Sequence, residues 1–497
     1  MAQDHLDSLS AVDASFLHQE GDRTHMHIGG IAILEGPPPP YRELVEHIRG
    51  RLHLVPRYRQ KLAAPPLGLG RWRWVDDPRF NLEYHVRHTG LPKPGDDAKL
   101  LALAARVFSQ RLDRTKPLWE LWTVENFADG RWALISKSHH ALVDGISGVD
   151  LMTMLFDLTE EPRDAGRAHW EPRPEPSAAE LAAAAVNGGV RRLGELPLRA
   201  LAGAARGPGQ ALDRAREALE AVGEVAWAGL NPPPDTPLNV KVGAHRRLAV
   251  VEASLADFKA IKDAFGGTVN DVVLAVVAGA LRRWLHARGM RTEGIELRAG
   301  VPMSVRADDE RGAFGNRLAQ VLCPLPVHVP DPIDRLRQVS EQMRGVKDSK
   351  QALGAEVIAA AEDFAPPTIL AQASRMNFST RFYNLLVTNV PGPQVPLYVL
   401  GRRLERVFPV PFLAGDRALA VAVMSYDGGM NFGLLADYDG MADLDELAAG
   451  LEASLAELRD LAGAGPLGRR AIKPTRTRER ARARRRAAAA PSANGKR

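Results

Sequence analysis

The ten residues "SHHALVDGIS", numbers 138–147, set His139 and His140 side by side, with Asp144 four places after the second and Gly145 directly behind it. A neutral imidazole can take the proton of a hydroxyl while that oxygen attacks a carbonyl, so one ring of such a pair suits general-base chemistry. "RWALISKSHH" alternates like a strand and "ISGVDLMTMLFDL" has apolar residues at helical spacing. The pair therefore falls where a strand gives way to a turn and a helix. Neighbouring side chains on a strand point to opposite faces, so His139 and His140 can hardly share one metal ion. The helical zinc spacing, two histidines four apart with a glutamate between, is also absent, and no metal is expected. Gly145 would let the chain turn without a Cβ, and Asp144 could hold the loop by accepting hydrogen bonds or pairing with an arginine. The competing reading is a pair of packed histidines with Asp144 stabilising the turn, and spacing alone leaves both open.

These residues must be positioned by a mixed α/β scaffold. "MHIGGIAILE" reads as a strand that stops at "GPPPP"; "PYRELVEHIRGRLHLV" and "LLALAARVFSQRL" read as amphipathic helices; "FNLEYHVRHT", "LWELWTVENF" and "RWALISKSH" read as strands. After Glu161 the composition shifts to Ala, Pro, Arg and Glu, and residues 165–238 read as a helical, Pro/Ala-rich connector. A second unit then opens with strand, helix, glycine turn and a long apolar helix from "HRRLAVVEASLADFKAIKDAFGGTVNDVVLAVVAGALRRWL". Strands at "ELRAGVPMSV", "LAQVLCPLPVHV", "NLLVTNVPGP", "RALAVAVMSYDG" and "MNFGLLADYD" follow, before a last helix around "DLDELAAGLEASLAELRDLA". The predicted organisation is 1–164, 165–238 and 239–465, with a basic tail over 466–497.

Composition bounds the setting. At 497 residues the chain is too long for one ordinary core. The lone Cys323 rules out an internal disulfide and fits a reducing, cytoplasmic compartment. The opening "MAQDHLDSLSAVDASF" lacks the basic and apolar regions of a signal peptide, and the longest apolar run, within "DVVLAVVAGAL", is about half of the ~20 residues that span a bilayer. The formal charge of +5 is localised: residues 469–497 carry 12 Lys or Arg against one Glu, or +11, which leaves −6 for the body. Such a tail is expected to be disordered; a plain solvated terminus and peripheral contact with an anionic membrane or lipid-droplet surface both fit it, and nucleic acid is not the expected partner.

The motif "HHALVDG" resembles the HHxxxDG signature of the CoA-dependent acyltransferase superfamily, which includes chloramphenicol acetyltransferase and the condensation domains of peptide synthetases. "LSAVDASFL", "KPLWE" at 116–120, "GGTVNDVVLA" at 266–275 and "NVPGP" at 389–393 are similar, in order, to segments of the bacterial wax ester synthase/diacylglycerol acyltransferases. The resemblance runs from residue 8 to about 465. It implies two chloramphenicol-acetyltransferase-like domains, each a mixed sheet flanked by helices, with an active-site channel between them. It also implies that His140 is the general base, that Asp144 shapes the motif and that His139 is a neighbour of lesser importance. Acyl-CoA would be a co-substrate, with no cofactor and no covalent acyl-enzyme, and diacylglycerol or a long-chain alcohol would be the acceptor.

The accessory motifs carry simpler readings beside this one. Pro117, Leu118 and Trp119 are expected to pack as core beside the motif strand. Asn270 and Asp271 could cap the long helix, although the resemblance places them near the active site. The Asn389–Pro393 turn is explained by rigidity alone. Scattered arginines, among them Arg246, Arg247, Arg375 and Arg381, give no specific site for CoA phosphates. Two rival functions stand beside lipid O-acyl transfer: a condensation-type enzyme using a carrier-bound thioester or a secondary metabolite, and a non-catalytic lipid-binding protein.

Overall fold

The computed structural model describes residues 7–66, 71–142, 154–166, 168–184, 186–187, 230–304, 318–348 and 382–463. The first third of the chain supplies β1 (His27–Leu34), β2 (Gln60–Ala63), β3 (Arg73–Asp76), β4 (Val86–Gly90), β5 (Trp119–Glu125) and β6 (Trp132–His139). β2 and β3 form a separate two-stranded ribbon; β1, β6, β5 and β4 lie side by side in one sheet. β1 runs antiparallel to β6, with His27 opposite His139 and Ile31 opposite Ile135. Both faces of β1 are covered, which is why its sequence is apolar almost throughout. Ile31 and Ile33 join Leu103, Val107 and Phe108 of the helix Asp97–Ser109. Ala32 and Leu34 join Leu44, Val45 and Ile48 of the helix Tyr41–Arg51.

The second half gives β7 (Arg246–Ser254), β8 (Leu297–Ser304), β9 (Leu318–Leu325), β10 (Leu385–Pro391), β11 (Tyr398–Val399), β12 (Arg402–Val410), β13 (Leu419–Tyr426) and β14 (Gly429–Asp437). Its sheet has the order β7-β14-β13-β10-β8-β9, with β10 parallel to both neighbours. The run Val272–Leu281 lies buried in the helix Val269–Ala287, between the helices Pro332–Asp348 and Leu444–Gly463. That burial accounts for its apolar composition. Among the described residues no single helix is long and apolar enough to cross a membrane.

β11 and β12 do not stay with the half that encodes them. β12 pairs antiparallel with the free side of β1, from Gly29 opposite Val410 to Leu34 opposite Leu404, and completes a six-stranded sheet in the order β11-β12-β1-β6-β5-β4. Residues 398–410, which the sequence groups with 239–465, thus belong to the first sheet. β12 also crosses β14 so closely that a Cβ on Gly433 would sit 1.7 Å from the Pro409 carbonyl oxygen. On the other side of the seam the Arg246 N–H donates to Ser109 Oγ at 3.0 Å.

Local outcomes differ from the sequence reading, which also did not include the helix Ala11–Gln19 or the β2–β3 ribbon. "FNLEYHVRHT" opens as a helical turn, Leu82–His85, because the Asn81 side chain caps it by accepting the Glu83 N–H at 3.0 Å, and only β4 is strand. The helix Pro332–Asp348 and the pair β11–β12 were not expected. Part of the connector runs back over the β2–β3 ribbon: the Trp170 ring centroid lies 4.4 Å from the Arg59 guanidinium carbon, and Glu175 reaches Lys61 at 3.0 Å. Most of the remaining connector, most of the helix expected after the motif, and the 466–497 tail lie outside the described residues.

Gly433→Ala should destabilise the protein by about 1–3 kcal/mol, since the added methyl meets backbone and cannot rotate away. Gly345→Ala, on a helix position with nothing within 4 Å of the new Cβ, should be neutral or slightly stabilising. Urea unfolding of the two variants measures the contrast.

Candidate active site

The two histidines part company at the end of β6. His139 is its last residue, and its N–H donates to the Leu118 carbonyl at 3.0 Å. His140 opens a 3₁₀ turn, His140–Leu142, and its N–H donates to the Met26 carbonyl at 2.7 Å. The backbone is therefore tied on both sides where the pair occurs. The His139 ring is fully buried; its Nδ1 accepts the Ala141 N–H at 3.0 Å, and its Nε2 faces Glu20 Oε2 at 3.8 Å. His140 keeps partial exposure as a residue, although its Nδ1 is buried. Phe16 stacks on it, centroids 3.9 Å apart and planes 22° apart, and Phe412 meets it edge-on at 5.4 Å.

Phe16 and Glu20 come from one helix, Ala11–Gln19, whose N-cap Ser10 accepts the Asp13 N–H at 3.0 Å. One turn separates them, and Glu20 closes the helix by donating its N–H to the Phe16 carbonyl at 3.1 Å. The Glu20 carboxylate is buried but compensated: Arg114 Nε donates to it at 2.7 Å, Arg111 lies 3.6 Å away, and His27 Nε2 is within 3.4 Å. Burial alone would push its pKa up; the His27 hydrogen bond and the Arg114 charge overcome this and hold it well below the usual carboxylate range.

The imidazoles are neutral for the opposite reason. Burial lowers His140 to about 4, with its own backbone carbonyl pulling weakly upward. Burial lowers His27 to about 3 against the upward pull of Glu20, and His139 well below the ordinary value. Two residues earlier on β6, the buried Lys137 donates to the Val107 and Gln110 carbonyls at 2.9 Å each, and burial brings it down to about 8 against Glu120. This lysine ties the motif strand to the end of the helix Asp97–Ser109.

The other sequence-identified residues fall in different places. Pro117, Leu118 and Trp119 are buried at the start of β5; Trp119 stacks on His85 at 4.7 Å and donates Nε1–H to the Tyr58 carbonyl at 2.8 Å. Their contribution to the motif is the Leu118 carbonyl that receives the His139 N–H. The long helix is capped by Thr268, not by Asn270 or Asp271: Asp271 is the third helical residue and completes a reciprocal capping box with Thr268. Asn270 is instead joined to the Asn389–Pro393 segment, its Oδ1 accepting from Asn389 Nδ2 at 3.2 Å. Arg246 is spent on the Gly243, His245 and Arg23 carbonyls, and Arg247 on the Tyr438 carbonyl and ring. Asp144, Gly145, Arg375 and Arg381 lie outside the described residues. Among the described residues no three His, Cys, Asp or Glu side chains are grouped to hold a metal ion.

Sequence reasoning missed Phe16, Glu20, His27 and Phe412. Phe16 and Glu20 carried a signal: a Ser10 cap followed by residues four apart places both on one helical turn. Phe412 carried none, because it reaches His140 only through the crossing of β12.

His140 is thus a partly exposed residue whose neutral imidazole lies between two aromatic rings, at a strand end in a fold of two mixed sheets. The fold is shared with the starter condensation domain of rhizomide synthetase at a TM-score of 0.54 and 13% identity, over 92% of this chain and 94% of that one. A wax ester synthase/diacylglycerol acyltransferase from Marinobacter aquaeolei VT8 superposes with a TM-score of 0.64 at 27% identity, over 92% of this chain and 100% of that one. The wax ester synthase/diacylglycerol acyltransferase catalytic-domain model matches residues 9–273, and the C-terminal-domain model of the same family matches 314–459. Two Mycobacterium tuberculosis relatives named as probable diacylglycerol O-acyltransferases are similar along their length: tgs1 is 34% identical over 91% of this chain and 96% of its own, and tgs2 is 35% identical over 92% and 100%. The chain belongs to the wax ester synthase/diacylglycerol acyltransferase family.

The lowered histidines set the acid stability. Unfolded, they titrate near ~6.5; folded, His27 titrates at about 3 and His85 and His140 at about 4. Below pH ~6.5 the unfolded chain binds more protons, so stability should be full above that pH and fall as the pH drops; the histidine part levels off near the folded values, while the lowered Glu20 carboxyl keeps stability falling below pH ~4.5. Denaturant midpoints measured from pH 7.5 to 4 test this.

Proposed function

We propose that this chain is an acyl-CoA:alcohol O-acyltransferase in which His140 is the general base. The hydroxyl of diacylglycerol or a long-chain alcohol gives its proton to His140 as its oxygen attacks the thioester carbonyl. The tetrahedral adduct then expels the coenzyme A thiolate, which takes the proton back from His140, leaving an ester and free coenzyme A with no acyl group on the protein. The observation that carries this reading is the contrast within the pair: His140 is neutral, partly exposed and bracketed by Phe16 and Phe412, whereas His139 is sealed.

Magnitudes apportion the work. A base titrating at about 4 is unprotonated at neutral pH but weak, so its contribution belongs at the lower end of the ~10²- to 10⁴-fold range for general-base catalysis. Orientation of two bound substrates can supply ~7–11 kcal/mol, the larger share. Water is the competing nucleophile, and the aromatic rings beside His140 would limit its access. A channel between the two sheets, with acyl-CoA and acceptor entering from different sides, suits that requirement. Asp144 is proposed to shape the loop after His140, and the Asn270–Asn389 pair to hold the Asn389–Pro393 turn beside the head of the long helix. The basic tail is proposed to bring the enzyme to an anionic lipid surface.

His140→Ala should lower coenzyme A release from palmitoyl-CoA by at least ~10²-fold; near-normal turnover would overturn the assignment. In the unmodified enzyme kcat/KM should rise with pH through about 4, where the neutral ring appears, and stay flat from pH 6 to 8. Thin-layer chromatography of products formed with hexadecanol and diacylglycerol offered together identifies the acceptor. Removing residues 469–497 should leave turnover on dispersed substrates intact while weakening binding to anionic vesicles and its salt dependence; loss of turnover would assign the tail a catalytic part.

A further inference from the structure

The first histidine of the pair has a partner set that the proton-transfer role of the second does not use. His139 is sealed behind the strand and cannot meet substrate, yet its ring makes one specific bond, accepting the Ala141 N–H at Nδ1. A 3₁₀ turn leaves the N–H groups of its first residues without partners inside the turn, so this bond fastens the segment on which His140 stands. Only one neutral tautomer can make it. Nδ1 accepts a proton only when the ring hydrogen is on Nε2; the other tautomer would set N–H against N–H.

Glu20 stands on the side that selects the tautomer. Its Oε2 is 3.8 Å from His139 Nε2, which has no hydrogen-bond partner among the described residues, and Arg114 keeps the carboxylate charged. A negative charge facing Nε2 favours the ring hydrogen there. The same helix carries Phe16, stacked on His140, so one helical turn governs both rings.

Resting on the general-base reading of His140, we infer that His139 is a positioning residue, set by Glu20 in its Nε2–H tautomer so that Nδ1 pins Ala141 and with it the His140 turn. Asparagine at 139 can place a carbonyl oxygen near the position of Nδ1, whereas glutamine places its amide near Nε2 and offers Ala141 nothing. In the full chain, with palmitoyl-CoA and the preferred acceptor, His139→Asn should keep kcat within ~10-fold of the unmodified enzyme. His139→Gln and His139→Ala should fall by ~10²-fold, as expected for a displaced base. KM for acyl-CoA should change less than ~2-fold in all three, because His139 does not touch substrate. Glutamine equal to or better than asparagine overturns the inference, as does a loss that resides in KM. Thermal unfolding of each variant accompanies the kinetics. Should the asparagine variant not fold, the nitrogen-15 imidazole spectrum of the unmodified, histidine-labelled protein decides: hydrogen on Nε2 of His139 supports the inference and hydrogen on Nδ1 overturns it. A fully active His140→Ala would instead remove the general-base reading, and the spectrum would still report the His139 tautomer.

Discussion

The tethering of β6 at its last residue governs the rest of the site. The His139 N–H is taken by Leu118 on one side and the His140 N–H by Met26 on the other, so the chain leaves the sheet between the two residues and their rings take different directions. A strand ended one residue sooner would have released His139 from its register with His27. The buried Lys137, Leu118 and Trp119 hold that strand end in place, so a motif of core residues accompanies the histidine motif.

Behind the strand end lies a charged interior that burial alone would not permit. The Glu20 carboxylate survives there because Arg114 hydrogen-bonds it and Arg111 stands near, and the histidines around it stay uncharged because the cost of desolvating a cation exceeds the attraction of one carboxylate. Breaking such a pair by removing one partner is costly, typically about 3–5 kcal/mol. The helix Ala11–Gln19 thus contributes more to the site than its position near the start of the chain suggests.

Much of this was legible in the sequence. Period-two alternation fixed β5 and β6, helical spacing fixed the helices Tyr41–Arg51, Asp97–Ser109 and Val269–Ala287, and the paired histidines marked the strand end. The family follows from the order of short segments around them. What escaped depends on distant contacts. β12 has no feature of its own that assigns it to β1, since pairing across sheets is decided by tertiary packing; Phe412, two residues beyond it, was hidden for the same reason. Thr268 displaced Asn270 and Asp271 as helix cap because the reciprocal bond to Asp271 satisfies two backbone donors together. For Glu20 the spacing from Phe16 places it on the helix turn, but nothing in "HQEGDR" signals that two arginines will meet it.

The crossing of β12 has a consequence for how the polypeptide matures on the ribosome. Ile33 waits for Arg406, so the first sheet keeps an open edge on β1 until nearly the whole polypeptide has emerged. At elongation rates of ~5–20 residues per second that exposure lasts tens of seconds. The N-terminal portion cannot reach its native form as an autonomous co-translational unit, and an unpaired, largely apolar edge for that interval is the kind of surface that chaperones bind and that self-associates when they do not.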